Sequence, residues 1–180
     1  MPIAGVIASS ISGHLSTNNY FLISQSLPSA VSTVTFSGIP ATYKSLQVRF
    51  NLVTSLNTQN FTLQYNSDTS TANYANHYLL GTGTAASASG QASGTFGKTV
   101  LNQQGSVSTY PNVGIVDIID YANTNKNKTI KSLLGSNQNT SAGVVEIDSG
   151  VWLSTAAITS IAFGISGGTF TGTISLYGVS

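Results

Sequence analysis

The alternation of apolar and polar residues along strand-length segments constrains the fold of this chain more than any other feature. In "KSLQVRFNLV", residues 44–53, apolar residues stand at every second position, at Leu46, Val48, Phe50 and Leu52. Each residue that separates two of them is polar. Because successive side chains of a strand point to opposite faces, the segment predicts a strand with one buried and one polar face. "NFTLQYN", residues 60–66, repeats the pattern with Phe61, Leu63 and Tyr65.

Similar short runs, each bounded by Gly, Pro, Asn or Ser, extend to the end of the chain and predict about ten strands in all. No long segment has an apolar stripe at helical spacing, although "TSTANYANHY" could supply a turn or two. Many short antiparallel strands must bury their apolar faces on one another. We therefore expect an all-β, antiparallel, jelly-roll-like β-sandwich, with a barrel as the alternative.

The chain of 180 residues is long enough for one self-sufficient core. Residues 1–18 mix small, polar and apolar side chains without the alternation of a strand, so we expect them to form an extended N-terminal arm. We expect residues 19–180 to form a single sandwich domain. The segment "GTGTAASASGQASGTFG", residues 81–97, is rich in Gly, Ala and Ser and predicts a flexible loop, with contact to a neighbouring subunit as its functional interpretation.

Composition excludes several classes of function. The chain has no cysteine, which removes disulfides, thiolate metal sites and a cysteine nucleophile. Charged residues are 6% of the chain and the net charge is +1, so we expect no nucleic-acid partner. No apolar run is long enough to span a bilayer, and the N-terminal segment lacks the basic start of a signal peptide. So few charges favour a surface that contacts other proteins.

Three of the six basic residues, Lys126, Lys128 and Lys131, fall between residues 120 and 135. The flanking runs "VGIVDIIDY" and "KTIKSLLG" predict two strands, and the Asn-rich "ANTNKN" between them is typical of a hairpin connection. We expect the lysines at the tip and outer edge of this hairpin, solvated or protecting a sheet edge.

Catalytic chemistry finds little support in the sequence. The two histidines, His14 and His77, lie in different settings, and no nucleophile-elbow pattern is present. Glu146 and Asp148 share a strand face with Cα atoms roughly 7 Å apart, a separation also found in inverting glycosidases. A solvated pair on a polar face is the simpler interpretation, with a glycan hydrolase as a remote alternative. We expect no enzyme, no cofactor and no metal.

Aromatic residues near predicted strand ends offer a possible binding surface. Tyr and Trp combine an apolar ring with a polar group, as protein-binding and sugar-binding surfaces require. Tyr74, Tyr78, Tyr110 and Tyr121 are the candidates for a ligand or partner surface. Trp152 is assigned to the core.

Five segments, taken in order, resemble a group of small virion proteins of tailed bacteriophages. They are "IASSISG", "FSGIPATYKSLQVRF", "IIDYANTNKNKTIKSLLG", "GVWLSTAAITSIAF" and "TGTISLYGV". The resemblance implies a jelly-roll or related β-sandwich module, used as a head decoration (cement) protein or in tail fibres and adhesins, and commonly trimeric. It carries over no catalytic residue.

The resulting expectation is a non-enzymatic structural protein of the virion, assembled in the host bacterial cytoplasm. The first hypothesis is a capsid decoration protein that binds the major capsid protein or other virion proteins. The arm residues expected to contact the capsid are Ile3, Val6, Ile7, Ile11, His14 and Leu15. The alternative is a glycan-recognising receptor-binding module of a tail fibre or spike. We further expect a homotrimer with Phe170, Leu176 and Tyr177, or their strand neighbours, near its axis.

Overall fold

A computed structural model describes residues 19–57, 59–91, 99–104, 110–137 and 143–180. The described strands are β1 (Tyr20–Ser26), β2 (Thr33–Ser37), β3 (Ser45–Thr54), β4 (Gln59–Tyr65), β5 (Tyr74–Thr82), β6 (Ala86–Gln91), β7 (Thr99–Gln104), β8 (Asn112–Ile119), β9 (Lys128–Ser136), β10 (Val144–Trp152), β11 (Ser160–Ile165) and β12 (Phe170–Val179). One turn of 3-10 helix, Thr71–Asn73, precedes β5 and agrees with the short turn predicted there.

The strands form two antiparallel sheets. The large sheet has eight strands in the order β1-β12-β3-β8-β9-β10-β5-β6, and the small sheet has four in the order β2-β11-β4-β7. The sheets enclose a common apolar core. The predicted antiparallel β-sandwich is therefore confirmed, and the loop predicted over residues 81–97 is wrong in part, because β6 pairs with β5 along the edge of the large sheet.

The core consists of the inward side chains that the alternation predicts. Leu46, Val48, Phe50 and Leu52 of β3 are buried, as are Phe61, Leu63 and Tyr65 of β4. Phe50, Phe61 and Phe163 meet with ring centroids 5.1 to 5.2 Å apart, a spacing typical of attractive aromatic pairs. Each such side chain contributes about 1.5 to 3 kcal/mol by leaving water.

Trp152 lies at one end of this core, as predicted. Its ring packs 5.6 Å from that of Tyr65, and its indole Nε1 donates a hydrogen bond to Asp68 Oδ2 at 2.7 Å. Burial raises the pKa of Asp68, but the hydrogen bonds from Trp152, Asn73 and the Ser70 backbone outweigh it and hold that pKa below its ordinary value.

The predicted lysine hairpin is confirmed, since β8 and β9 pair antiparallel on either side of residues 120–127. Its predicted position at a sheet edge is wrong, because both strands lie inside the large sheet. Lys126 is exposed, with its Nζ 2.7 Å from Asp120 Oδ2, and Lys131 is exposed as well.

Lys128 corrects the prediction that all three lysines are solvated. It is fully buried, and its Nζ donates to the carbonyl oxygens of Asn123, Lys126 and Thr155 at 2.5, 2.8 and 3.2 Å. Burial lowers the pKa of Lys128, although the Asp120 carboxylate acts in the opposite direction. The side chain thus ties the hairpin turn to the segment that follows β10.

The arm assigned to residues 1–18, with its six proposed capsid contacts, lies outside the described residues, so that assignment stays a prediction. Within the part of the chain that the structure describes, no helix is long and apolar enough to cross a membrane.

Candidate functional site

The outer face of the large sheet, the side turned away from the small sheet, is the candidate site. Alternate residues of each strand point to this face. In most two-layer sandwiches such a face is polar, because it meets water. Here the four adjacent strands β8, β9, β10 and β5 present large aliphatic side chains on it.

Strand register places four of these side chains in a line across the sheet. Ile115 lies opposite Leu133, Leu133 opposite Ile147, and Ile147 opposite Leu79. We call these four residues the apolar row. Their exposed fractions run from 40% to 54%, so each presents about half of its surface to solvent. Val113 and Val145 widen the patch on one side and are exposed to a similar extent.

The inner face of β10 carries charged residues where apolar ones are usual. Glu146 and Asp148 point between the sheets and are buried, and Ser132 Oγ donates to Asp148 Oδ2 at 2.5 Å. The prediction of a solvated pair on a polar face is therefore wrong, although the two carboxylates do share a face. Strand β7 of the small sheet lies against β10 and β5 on this side.

The polarity of β10 is thus inverted over residues 145–148: Glu146 and Asp148 lie inside, whereas Val145 and Ile147 face outward. Burying carboxylates costs free energy, and exposing Val145 and Ile147 forgoes the gain of burying them. A register shift by one residue would exchange the two faces. The aliphatic side chains nevertheless lie on the outer face. An exposed, contiguous apolar patch of this kind is typical of a surface that another molecule covers.

A row of polar residues runs beside the apolar row on the same face. Its members, in strand order, are Gln47, Asp117, Lys131, Ser149 and His77. Gln47 Nε2 donates to Asp117 Oδ1 at 2.7 Å, and Lys131 Nζ lies 3.8 Å from Asp117 Oδ2. The apolar row is therefore bordered by hydrogen-bonding groups that are already organised.

Arg49 stands at the β3 end of the apolar row, opposite Ile115 in register. Its guanidinium carbon lies 4.6 Å from the ring centroid of Tyr20 and 4.8 Å from that of Tyr177. Arg49 Nε donates to Gln47 Oε1 at 2.5 Å. Two rings and one amide therefore fix the orientation of this cation.

A shallow groove runs beside Arg49 across β8, β9 and β10. Its lining includes Val113, Ile115, Leu133, Gly135 and Val145 together with Arg49. A Cβ placed on Gly135 would meet only the Val144 carbonyl oxygen, at 3.8 Å. The missing side chain of Gly135 therefore opens the groove between Val113 and Val145, which lie on either side of it in register.

The four tyrosines proposed as a binding surface do not form one. Tyr74 and Tyr121 are buried, so their assignment to a surface is wrong. The Tyr74 hydroxyl donates to the Asp68 carbonyl at 3.1 Å, and burial raises the pKa of Tyr74 to about 12. The Tyr121 hydroxyl donates to the Pro40 carbonyl, and burial raises its pKa as well.

Tyr78 and Tyr110 remain accessible, but they lie on β5 and just before β8, strands that are not neighbours in the sheet. His77 lies on the outer face of β5 and is exposed. His14 lies outside the described residues. Among the described residues, no group of three or more His, Asp or Glu side chains could hold a metal ion.

The residues expected at a trimer axis are also placed differently. Phe170 and Leu176 are buried in the core of their own sandwich and cannot contact another copy. Tyr177 contacts Arg49 on the outer face. The choice of Phe170 and Leu176 for the oligomer interface is wrong, because both point between the two sheets.

Comparison with known proteins assigns the chain to no family and to no function. No protein-family model and no curated protein sequence matches the chain. Among solved structures, the galectin LEC-6 of Caenorhabditis elegans aligns over 90% of this chain and 98% of its own, with 11% sequence identity and a TM-score of 0.38. A similarity of this size says nothing about ligand or activity.

Proposed function

We propose that this chain is a non-enzymatic assembly protein of a virion that binds another virion protein through the outer face of its large sheet. The observation that carries the proposal is the apolar row, a line of four half-exposed aliphatic side chains on adjacent strands. Large contiguous apolar patches on otherwise polar proteins mark interaction sites.

The resemblance to small virion proteins of tailed bacteriophages supports the particle setting, and a capsid decoration protein on the head is the form we propose. A charged fraction of 6% agrees with a protein whose surface is in permanent contact with other proteins. In this proposal, residues 1–18 lie along neighbouring capsid subunits while the outer face rests on the shell.

Side-by-side association into a homotrimer belongs to the same proposal. Strand β1 ends the large sheet and pairs with β12 and with no other described strand. Leu22 on β1 and Leu27 just after it are strongly exposed. An apolar edge strand of this kind favours pairing with another chain. We propose that β1 replaces Phe170 and Leu176 as the contact between copies.

Labelling the protein on intact virions of the phage that encodes it tests the proposal. A head decoration protein places the label evenly over the capsid. Label confined to the tail would instead support the receptor-binding alternative. Two of the four tyrosines proposed for that alternative, Tyr74 and Tyr121, are buried in the core. Absence of the protein from purified virions would overturn the proposal altogether.

A further inference from the structure

We propose that Arg49 and the groove over Gly135 form a two-point site for a segment of the partner protein, which supplies a carboxylate to Arg49 and an aliphatic side chain to the groove. The inference rests on the proposed docking function and names the chemistry of the partner. It concerns the β3–β8–β9–β10 part of the outer face.

Arg49 is organised before any partner arrives. The Tyr20 and Tyr177 rings hold its guanidinium, and its Nε is bonded to Gln47, whose own amide is fixed by Asp117. None of the described residues accepts a hydrogen bond from its two terminal nitrogens. A guanidinium fork whose terminal nitrogens have no acceptor among the described residues suits a carboxylate, which it binds through two parallel hydrogen bonds.

In a second copy of the chain, each side-chain carboxylate is either buried or already engaged by a neighbouring group. All five are described, and Glu146 and Asp148 are buried. Asp68 accepts from Trp152 and Asn73, Asp120 is paired with Lys126, and Asp117 is bonded to Gln47. A carboxylate of a different molecule, which has no such partner to give up, therefore suits Arg49 better than those of a second copy.

The groove sets the second requirement. It is lined by aliphatic side chains and has empty space above Gly135, so it accepts a Leu, Ile, Val or Met side chain. Leu133 lies two strands away from Arg49 in the same register, and Gly135 lies two residues further along β9. The Cα atoms of Arg49 and Gly135 are therefore roughly 12 Å apart. An extended segment covers that distance in about three or four residues. The partner is therefore expected to carry Asp or Glu at that spacing from an aliphatic residue.

Aliphatic lining also favours a protein over a glycan. Arg49 covers one face of each of the two rings on this part of the surface, which reduces the aromatic area left for a sugar. The rest of the surface is Val, Ile and Leu, which complement apolar side chains rather than hydroxyl groups.

Selection from a random peptide library displayed on yeast, with the full-length protein as bait, tests the site without knowledge of the natural partner. We expect enrichment of peptides with an acidic residue three or four positions from an aliphatic one. Binding of these peptides should fall about tenfold or more for Arg49→Gln, which removes the fork, and for Gly135→Val, which fills the groove.

Matched controls separate site from fold. Lys44→Gln removes a charge from an exposed lysine elsewhere, and Thr35→Val adds an apolar side chain on the exposed face of β2. Both should bind the selected peptides as the original chain does, and all four variants should keep its circular dichroism spectrum. Peptides without acidic residues, or unchanged binding by Arg49→Gln, would overturn the carboxylate site. Binding of acidic polysaccharide in place of any peptide would overturn the choice of a protein partner.

A final comparison distinguishes failure of this site from failure of the proposed function. Ile147→Asn disrupts the apolar row without touching Arg49 or Gly135. If Ile147→Asn abolishes binding to phage heads while Arg49→Gln and Gly135→Val do not, the outer face is a docking face and the two-point site is wrong. If Arg49→Gln and Gly135→Val also abolish it, the site is supported on the particle.

Discussion

Ile147 and Asp148 are neighbours in β10, yet the isoleucine is 50% exposed on the outer face while the aspartate is 2% exposed inside the sandwich. A strand selected only for the stability of an isolated domain would place them the other way round. The arrangement is understandable if the outer face is covered in the assembled particle, where Ile147 would leave water too.

Ile147→Asn should change the free energy of unfolding by no more than about 1 kcal/mol, because the side chain contributes little to the core. The matched change Ile118→Asn, at a fully buried position of β8, should cost about 3 kcal/mol or more. Urea unfolding measures both. Equal losses would show that Ile147 is part of the core and would remove the basis for a docking face.

Lys128→Met should destabilise the fold by about 1 to 3 kcal/mol, because it leaves three carbonyl groups without the ammonium that they accept from. Lys126→Met removes the same charge two residues away from an exposed ion pair and should have a far smaller effect. Thermal or urea unfolding compares them. A Lys126 variant as unstable as the Lys128 variant would contradict the assigned roles.

Asp68→Asn should lower stability at neutral pH by about 1 to 3 kcal/mol, since a charged acceptor of three hydrogen bonds is lost. Because the pKa of Asp68 is lower in the folded than in the unfolded state, its contribution is present above about pH 4 and disappears as the pH falls through the folded value. The difference between the original chain and the variant should therefore shrink below pH 4.

The chain has a single tryptophan, Trp152, whose indole donates a hydrogen bond to Asp68. Its fluorescence therefore reports unfolding in the immediate surroundings of Asp68. Asp120→Asn is the control, since its carboxylate is exposed and pairs with the exposed Lys126. A pH-independent difference for Asp68→Asn would show that its carboxylate is not specifically stabilised by folding.

The purified chain should sediment at about three times its monomer mass of 18.6 kDa at micromolar concentration. Leu22→Asp should shift it to monomer by placing a charge on the β1 edge, whereas Ile147→Asn should leave the trimer intact. Analytical ultracentrifugation decides the point. A stable monomer for the original chain would refute intrinsic trimerisation.

The sandwich was predictable because its clearest strands alternate cleanly. Leu46 to Leu52 on β3 and Phe61 to Tyr65 on β4 follow the period of a half-buried strand, and burial obeys it. The strand β6 was missed because "ASASGQ" has small residues on both faces and therefore no periodic signal. Backbone pairing with β5, rather than burial of its side chains, holds β6 in the sheet.

The candidate site was not predictable by the same rule. The assumption that charged residues face solvent placed Glu146, Asp148 and Lys128 outside, and tertiary contacts overrode it. A usable signal was present in β8, where "VGIV" has aliphatic residues on both faces, which is unusual for an antiparallel strand with one solvated face. Whether Tyr74 and Tyr121 are surface or core residues depends on packing that their spacing does not encode.

The most direct test of a docking function is occupancy on phage heads that lack the protein, measured after adding the original chain or Ile147→Asn at equal concentration. Thr35→Asn, on the exposed face of the small sheet, is the matched control. We predict that the original chain and the control fill the heads equally and that Ile147→Asn leaves them largely bare. Full occupancy by Ile147→Asn, with its fold intact, would contradict the assignment of the outer face.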